Sequence, residues 1–287
     1  MRYAWLEDLA GEPGGTEWLA RLPDLRKGCA ARWSLDLGEP FRDGYASLAI
    51  PATRRGNAMP VVLKIQFPHR ECEHEAAALE SWGGLGAALL LDHAPEQHAL
   101  LLERCMPGTP LTDLPLEEAL DVAVQLLPRL WVEAGAPFGS LEDEAAWWLD
   151  GLESTWHGLG RPFERRILDA AIDALTELPS TQGPQFLLHQ DLHAGNVLRS
   201  EREPWLVIDP KPLTGEREFG IAALVRGDEL GHGPREVRRR FDRLTAELAL
   251  DRERARGWAI GQSIAWGIGE GYLGQTHIDV ARWLLER

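Results

Sequence analysis

The spacing of apolar side chains divides the chain into two stretches of different habit. Residues 16–33 set Trp18, Leu19, Leu22, Leu25 and Cys29 on one side of a helix. Gly38-Glu39-Pro40 interrupts that period. A strand–turn–strand signature follows over 46–51, 54–57 and 59–67, with Val61-Val62-Leu63-Lys64-Ile65 inside the second strand. Pro68 stops it, a helix is expected over 71–82, and Gly83-Gly84 closes that helix. Short strands are expected at 87–92 and 98–103. At Met106-Pro107-Gly108 the composition and the pattern change together. Beyond that point helical periods occupy 115–134, 142–157, 162–178, 234–250, 252–270 and 278–286. One stretch breaks the run, since 186–210 reads as strand, loop, strand, turn, strand. The chain is therefore expected to be α+β. A small sheet-rich N-lobe would cover 1–104 and a larger, mainly helical C-lobe 105–287, with a hinge near 103–108. Ligands favour the cleft of such an arrangement.

Composition narrows the function. The 287 residues carry 30 basic and 45 acidic side chains, a net charge of −15. Such a chain repels nucleic-acid backbones and anionic bilayers, so neither is an expected partner. The same charge suits a cationic small molecule. Cys29, Cys72 and Cys105 are too few and too scattered for a disulfide framework or a zinc cluster. The N-terminal stretch lacks the pattern of a signal peptide, and no apolar run approaches the ~20 residues that span a bilayer. A cytoplasmic protein is expected, as monomer or homodimer. Most of the 12 tryptophans are expected as core anchors, with one or two flanking a ligand.

The chemistry concentrates in His189-Gln190-Asp191-Leu192-His193-Ala194-Gly195-Asn196. This matches H-x-D-x-x-x-x-N, the catalytic loop of the protein-kinase-like fold. Val197-Leu198 starts a strand, 200–204 turns, and Trp205-Leu206-Val207-Ile208 returns with Asp209 at its end. A hairpin brings its two ends together, so Asn196 and Asp209 should lie side by side. An amide oxygen and a carboxylate at one point suit Mg²⁺, and Asp191 is placed to accept a proton from a substrate hydroxyl. In the first lobe, Glu75 shares an apolar face with Ala78, Leu79 and Trp82. A buried carboxylate needs a partner, and Lys64 is the natural one. A lysine held that way can reach the α- and β-phosphates of ATP. Gly44-Tyr45-Ala46-Ser47 would be the first hairpin's turn, with Gly44 and Ser47 near the phosphates. Glu103, Arg104 and Met106 in the hinge would present backbone groups to adenine. Gln190, Lys211, Asp228, Glu229 and Glu270 are candidates for contact with the second substrate. For His193, contact with phosphate and a role in ordering the loop are both open.

These stretches resemble the aminoglycoside phosphotransferases, more closely the branch with streptomycin 6-phosphotransferases and hydroxyurea kinases. The resemblance runs through Leu-Gly-Glu-Pro-Phe (37–41), Val-Leu-Lys-Ile (62–65), His-Glu-Ala-Ala-Ala-Leu (74–79) and Leu-Leu-Leu-Glu-Arg (100–104). It continues in Asp-Leu-His-Ala-Gly-Asn-Val-Leu (191–198), Trp-Leu-Val-Ile-Asp-Pro-Lys-Pro-Leu (205–213) and Leu-Asp-Arg-Glu-Arg-Ala-Arg-Gly-Trp-Ala (250–259). It implies a bilobal protein-kinase-like fold and an ATP- and Mg²⁺-dependent kinase acting on a hydroxyl of an aminoglycoside such as streptomycin. Asp191 would be the base, Asn196 and Asp209 the metal ligands, and Lys64 with Glu75 the phosphate anchor. Two positions depart from the family pattern. Gln190 stands where glycine is usual, and Phe219 is followed by Gly220 where an acidic residue is frequent. Both bear on the acceptor. A metabolic kinase of a sugar or other hydroxyl compound shares the same ATP half. A non-catalytic nucleotide-binding regulator would be expected to have lost one of Lys64, Asp191, Asn196 and Asp209, all of which are present.

Overall fold

A computed structural model describes residues 3–42 and 44–286. It separates into two units, Met1–Gly108 and Thr109–Arg287.

In the first unit, α1 (Gly15–Arg32) buries Trp18, Leu22 and Cys29, with Leu19 and Leu25 packed at the edge of the same core. Five strands follow, β1 (Leu35–Leu37), β2 (Ser47–Arg54), β3 (Met59–Gln66), β4 (Leu90–Ala94) and β5 (Ala99–Glu103). They form one antiparallel sheet in the order β1-β2-β3-β5-β4. Successive strand residues point to opposite faces. Val61, Leu63 and Ile65 of β3 therefore enter the core shared with α1, while Lys64 and Gln66 lie on the other face. The helix α2 (Glu75–Trp82) supplies Glu75 to that second face.

Three expected boundaries move. The helix begins at Glu75 rather than 71, because Arg70–Cys72 is a 3₁₀ turn in which the Cys72 thiol donates to the carbonyls of Phe67 and His69. β2 runs on to Arg54, which pairs with Met59 and pushes the turn to 55–58. β4 begins at Leu90, since the chain leaves α2 through Gly83, Gly84 and Gly86, all at positive φ.

β6 (Pro107–Pro110) carries the chain across the division. The second unit holds α3 (Leu116–Leu130), β7 (Gly139–Ser140), α4 (Leu141–Leu149), α5 (Leu152–Gly158) and α6 (Arg165–Glu177). It continues with β8 (Phe186–His189), β9 (Val197–Ser200), β10 (Trp205–Val207) and β11 (Pro212–Gly215). α7 (Ala222–Arg226), α8 (Pro234–Glu247) and α9 (Arg252–Gly267) come next, and after the β12–β13 hairpin (Ile268–Gly269, Tyr272–Leu273) the final helix is α10 (Gln275–Leu285). The core gathers round α9, whose Trp258, Ala259 and Ile264 are fully buried. The single helix expected over 142–157 is two, because Gly151 takes φ 81° between α4 and α5. β11 and α7 were not foreseen. Their placement brings the candidate residues together: β8 pairs antiparallel with β11, and β9 with β10. Among the described residues no helix is long and apolar enough to cross a membrane.

Candidate active site

The first unit holds a buried ion pair. Lys64 Nζ lies 2.5 Å from Glu75 Oε2, with the two side chains 7% and 1% exposed. Gln66 Nε2 donates to the same oxygen at 2.6 Å. Gln66 follows Lys64 by two residues on β3, so alternation alone puts both on one face. A lysine ammonium fixed this way is an anchored positive charge. Lys64→Met leaves the Glu75 carboxylate buried without that cation and is expected to cost about 3 kcal/mol or more of stability. Lys64→Met/Glu75→Leu is expected to regain most of that stability. Chemical denaturation of both variants checks the ordering; a double variant less stable than Lys64→Met would overturn it.

The other first-unit candidates are more scattered. A Cβ at Gly44 would lie 2.7 Å from the Ser47 carbonyl oxygen, so this turn admits no side chain there. Glu103 ends β5, where its backbone N–H donates to Leu89 and its carboxylate accepts from the Leu89 N–H at 3.0 Å. Arg104 is half-buried and Met106 exposed.

In the second unit four strand ends converge. β8 delivers His189, β9 starts after Asn196, β10 leads to Asp209, and β11 is preceded by Lys211. The β8–β11 register sets His189 opposite Pro212, and the Gln190 N–H donates to the Lys211 carbonyl. Lys211 thus arrives beside the loop, with its Nζ 3.2 Å from Asp191 Oδ2. The Ile208 N–H donates to the Asn196 carbonyl at 3.0 Å, which brings the ends of the β9–β10 hairpin together. Asp209 takes φ 56°, a left-handed conformation that Asp tolerates better than most residues. The turn from β10 into β11 is made there.

His189 is buried and neutral, its pKa pushed down to about 4 by burial. Its Nε2 lies 2.9 Å from the Ile208 carbonyl, and its Nδ1 accepts the Asp191 N–H. This neutral tautomer ties β8, the loop and β10 together. Asn196 Nδ2 donates to the Asp191 carbonyl at 2.9 Å. That commitment of the amide nitrogen leaves the Asn196 oxygen as the group suited to a cation.

Sequence reasoning missed Arg226. From the end of α7 its Nη2 donates to Asp191 Oδ1 at 3.1 Å, and Nη1 lies 3.2 Å from His277 Nε2. Burial and the Arg226 charge push His277 down to about 4, so its ring accepts from the guanidinium. Trp266 lies beneath both cations, 4.5 Å from Arg226 Cζ and 4.8 Å from Lys211 Nζ. His193 Nδ1 is 2.6 Å from Glu229 Oε1. Burial works to lower the His193 pKa, but the Glu229 hydrogen bond and the Asp191 charge raise it above the ordinary value. Asp228 and Glu270 are exposed.

A family model for aminoglycoside/hydroxyurea antibiotic resistance kinases matches residues 32–270. The chain belongs to this family. Streptomycin 6-kinase of Streptomyces glaucescens is 39% identical over 268 residues, covering 90% of this chain and 86% of that one. Hydroxyurea phosphotransferase of Kitasatospora aureofaciens is 38% identical over 288 residues, covering 96% and 83%. The crystal structure of the aminoglycoside phosphotransferase APH(4)-Ia matches with TM-score 0.62 at 18% identity, over 92% of this chain and 95% of that one. Choline kinase LicA of Streptococcus pneumoniae matches with TM-score 0.62 at 15% identity, over 92% and 100%. The fold is thus the α+β protein-kinase-like one, and this antibiotic resistance kinase is a phosphotransferase acting on a hydroxyl.

Gln190 and Gly220, the two positions expected to bear on the acceptor, are both buried. Gln190 is 4% exposed, donates to Glu144 Oε1 at 2.8 Å, and accepts at its carbonyl from Gln262. Its side chain is thus committed inside the unit. At Gly220 a Cβ would stand 2.9 Å from Trp131 Nε1, so an acidic side chain there would need the indole to move.

Proposed function

We propose that this kinase transfers the γ-phosphoryl group of ATP to a hydroxyl of an aminoglycoside, streptomycin before others. The observation that carries this reading is the Asp191 carboxylate set between Lys211 and Arg226 at the ends of four strands that also bring in Asn196 and Asp209. A carboxylate there can orient an acceptor hydroxyl and take its proton. The cations at both of its oxygens are close enough to serve a phosphoryl group in transfer. Lys64, held by Glu75 and Gln66, would anchor the α- and β-phosphates. Gly44 and Ser47 would cover the phosphates, and Glu103, Arg104 and Met106 would line the adenine.

Asn196 and Asp209 fit Mg²⁺. Both offer oxygen, and the Asn196 nitrogen is already engaged. Mg²⁺ held there would neutralise charge on the phosphate oxygens. The acceptor assignment draws on the net charge of −15 and on the streptomycin 6-kinase relatives. A second reading, a small neutral hydroxyl compound such as hydroxyurea, is favoured by the near-equal identity to hydroxyurea phosphotransferase.

The test is ATP turnover with Mg²⁺ against streptomycin, other aminoglycosides, hydroxyurea and simple amino sugars, with Asp191→Asn as the blank. Streptomycin is expected to turn over fastest. Turnover confined to hydroxyurea or to sugars would move the assignment to a different acceptor class. ADP release equal in enzyme and blank would overturn the role of Asp191.

A further inference from the structure

Asp191 is engaged on both oxygens, so one contact must open before an acceptor hydroxyl can bind there. The two contacts differ in what determines release. Arg226 is buried, its side chain 9% exposed, against 26% for Lys211. Its planar fork is held at two points, by Asp191 Oδ1 and by His277 Nε2, with Trp266 under its face. The backbone on either side is held too, because Arg240 donates to the carbonyls of Val225 and Gly227. Lys211 is a rotatable point charge on a flexible stem, which water can replace.

We infer that Arg226 is a permanent positioning residue that fixes Asp191 through Oδ1, and that Lys211 is the exchangeable partner, so the acceptor hydroxyl docks at Oδ2. The inference rests on the reading of Asp191 as the base. In the step, the acceptor proton passes to Oδ2. The acceptor oxygen bonds to the γ-phosphorus as the bond from that phosphorus to the β–γ bridging oxygen breaks, and ADP leaves. The Lys211 ammonium, released from Oδ2 but still over Trp266, then turns to the transferring phosphoryl oxygens.

The test is a double-variant cycle in steady-state kinetics, with streptomycin or hydroxyurea, whichever turns over faster. Arg226→Met is expected to lower kcat about 10²-fold, as a misplaced catalytic group does, with the KM for ATP changed less than about threefold. Arg226→Lys, which restores one donor, is expected to recover about tenfold of that loss. In the Asp191→Asn background, Arg226→Met is expected to change the residual rate by less than about twofold, because the residue it positions is gone. A merely structural role would lower the rate equally in both backgrounds and would overturn the inference. So would an Arg226→Met kcat near that of the wild type.

Should Arg226→Met fail to fold, His277→Asn serves instead, since it removes the acceptor for Nη1. A several-fold loss that vanishes in the Asp191→Asn background supports the inference, and a loss that persists there overturns it. If Asp191→Asn itself keeps full activity, the functional reading fails, and this inference with it. If Asp191→Asn is inactive while Arg226→Met is not, only this inference fails.

Discussion

Asp191→Asn is expected to lower kcat by about 10²–10⁴-fold, which corresponds to roughly 3–5 kcal/mol of barrier. The substitution keeps the shape of the side chain and removes the charge that takes up the proton. The Asn oxygen can still accept from Arg226 or Lys211, so the loop has a reason to stay in place. The Asp191 N–H to His189 and the Asp191 carbonyl to Asn196 are backbone contacts and survive the change. Nucleotide binding should therefore hold while turnover falls. Steady-state kinetics beside calorimetric titration with ADP separates the two. A variant within tenfold of the wild-type kcat would show that Asp191 does not accept the proton.

The parts of this site that were legible lie close together in sequence or repeat with a strand or helix period. The β9–β10 hairpin is short and its turn polar, so Asn196 and Asp209 could be placed side by side from spacing alone. Glu75 stood out because a carboxylate shared the apolar face of a short helix. Gln66 carried the same signal, a polar residue two positions after Lys64 on one strand, and went unread. Arg226 had no local signal. It stands 35 residues beyond Asp191 and arrives on α7, a five-residue helix in a stretch buried from 218 to 226. Where every side is apolar, periodicity cannot select a face. β11 begins with proline and ends with glycine, which read as punctuation rather than strand. It is nonetheless what sets Lys211 beside Asp191. The break at Gly151 was hidden for the converse reason, since apolar spacing runs through it unchanged.

Arg240→Met is expected to lower stability by about 3–5 kcal/mol, although the hydrogen bonds of Arg240 go to main-chain carbonyls. Its side chain is fully buried, and its two terminal nitrogens donate to four carbonyls, those of Val225, Gly227, Leu230 and Gly231. The first two belong to the end of α7 and the residue that follows it, where helix carbonyls lack partners and carry partial negative charge. Methionine fills much of the space of the stem but donates nothing. Each carbonyl left without a donor costs about 1–3 kcal/mol where water cannot reach it, and partial hydration keeps the total below the full sum. For a unit of this size that amounts to a fall in melting temperature of about 10 °C. Arg240→Lys should fall between, because one ammonium cannot span four carbonyls in the plane of a fork. Segment 225–231 also carries Arg226 and Glu229, so loosening it should lower kcat with little change in ATP binding. Calorimetry of the three proteins, with kinetics well below the lowest melting point, checks both effects. If Arg240→Met melted within 2–3 °C of the wild type, about 1 kcal/mol at this size, the four hydrogen bonds would be shown to add little over their hydrated alternatives.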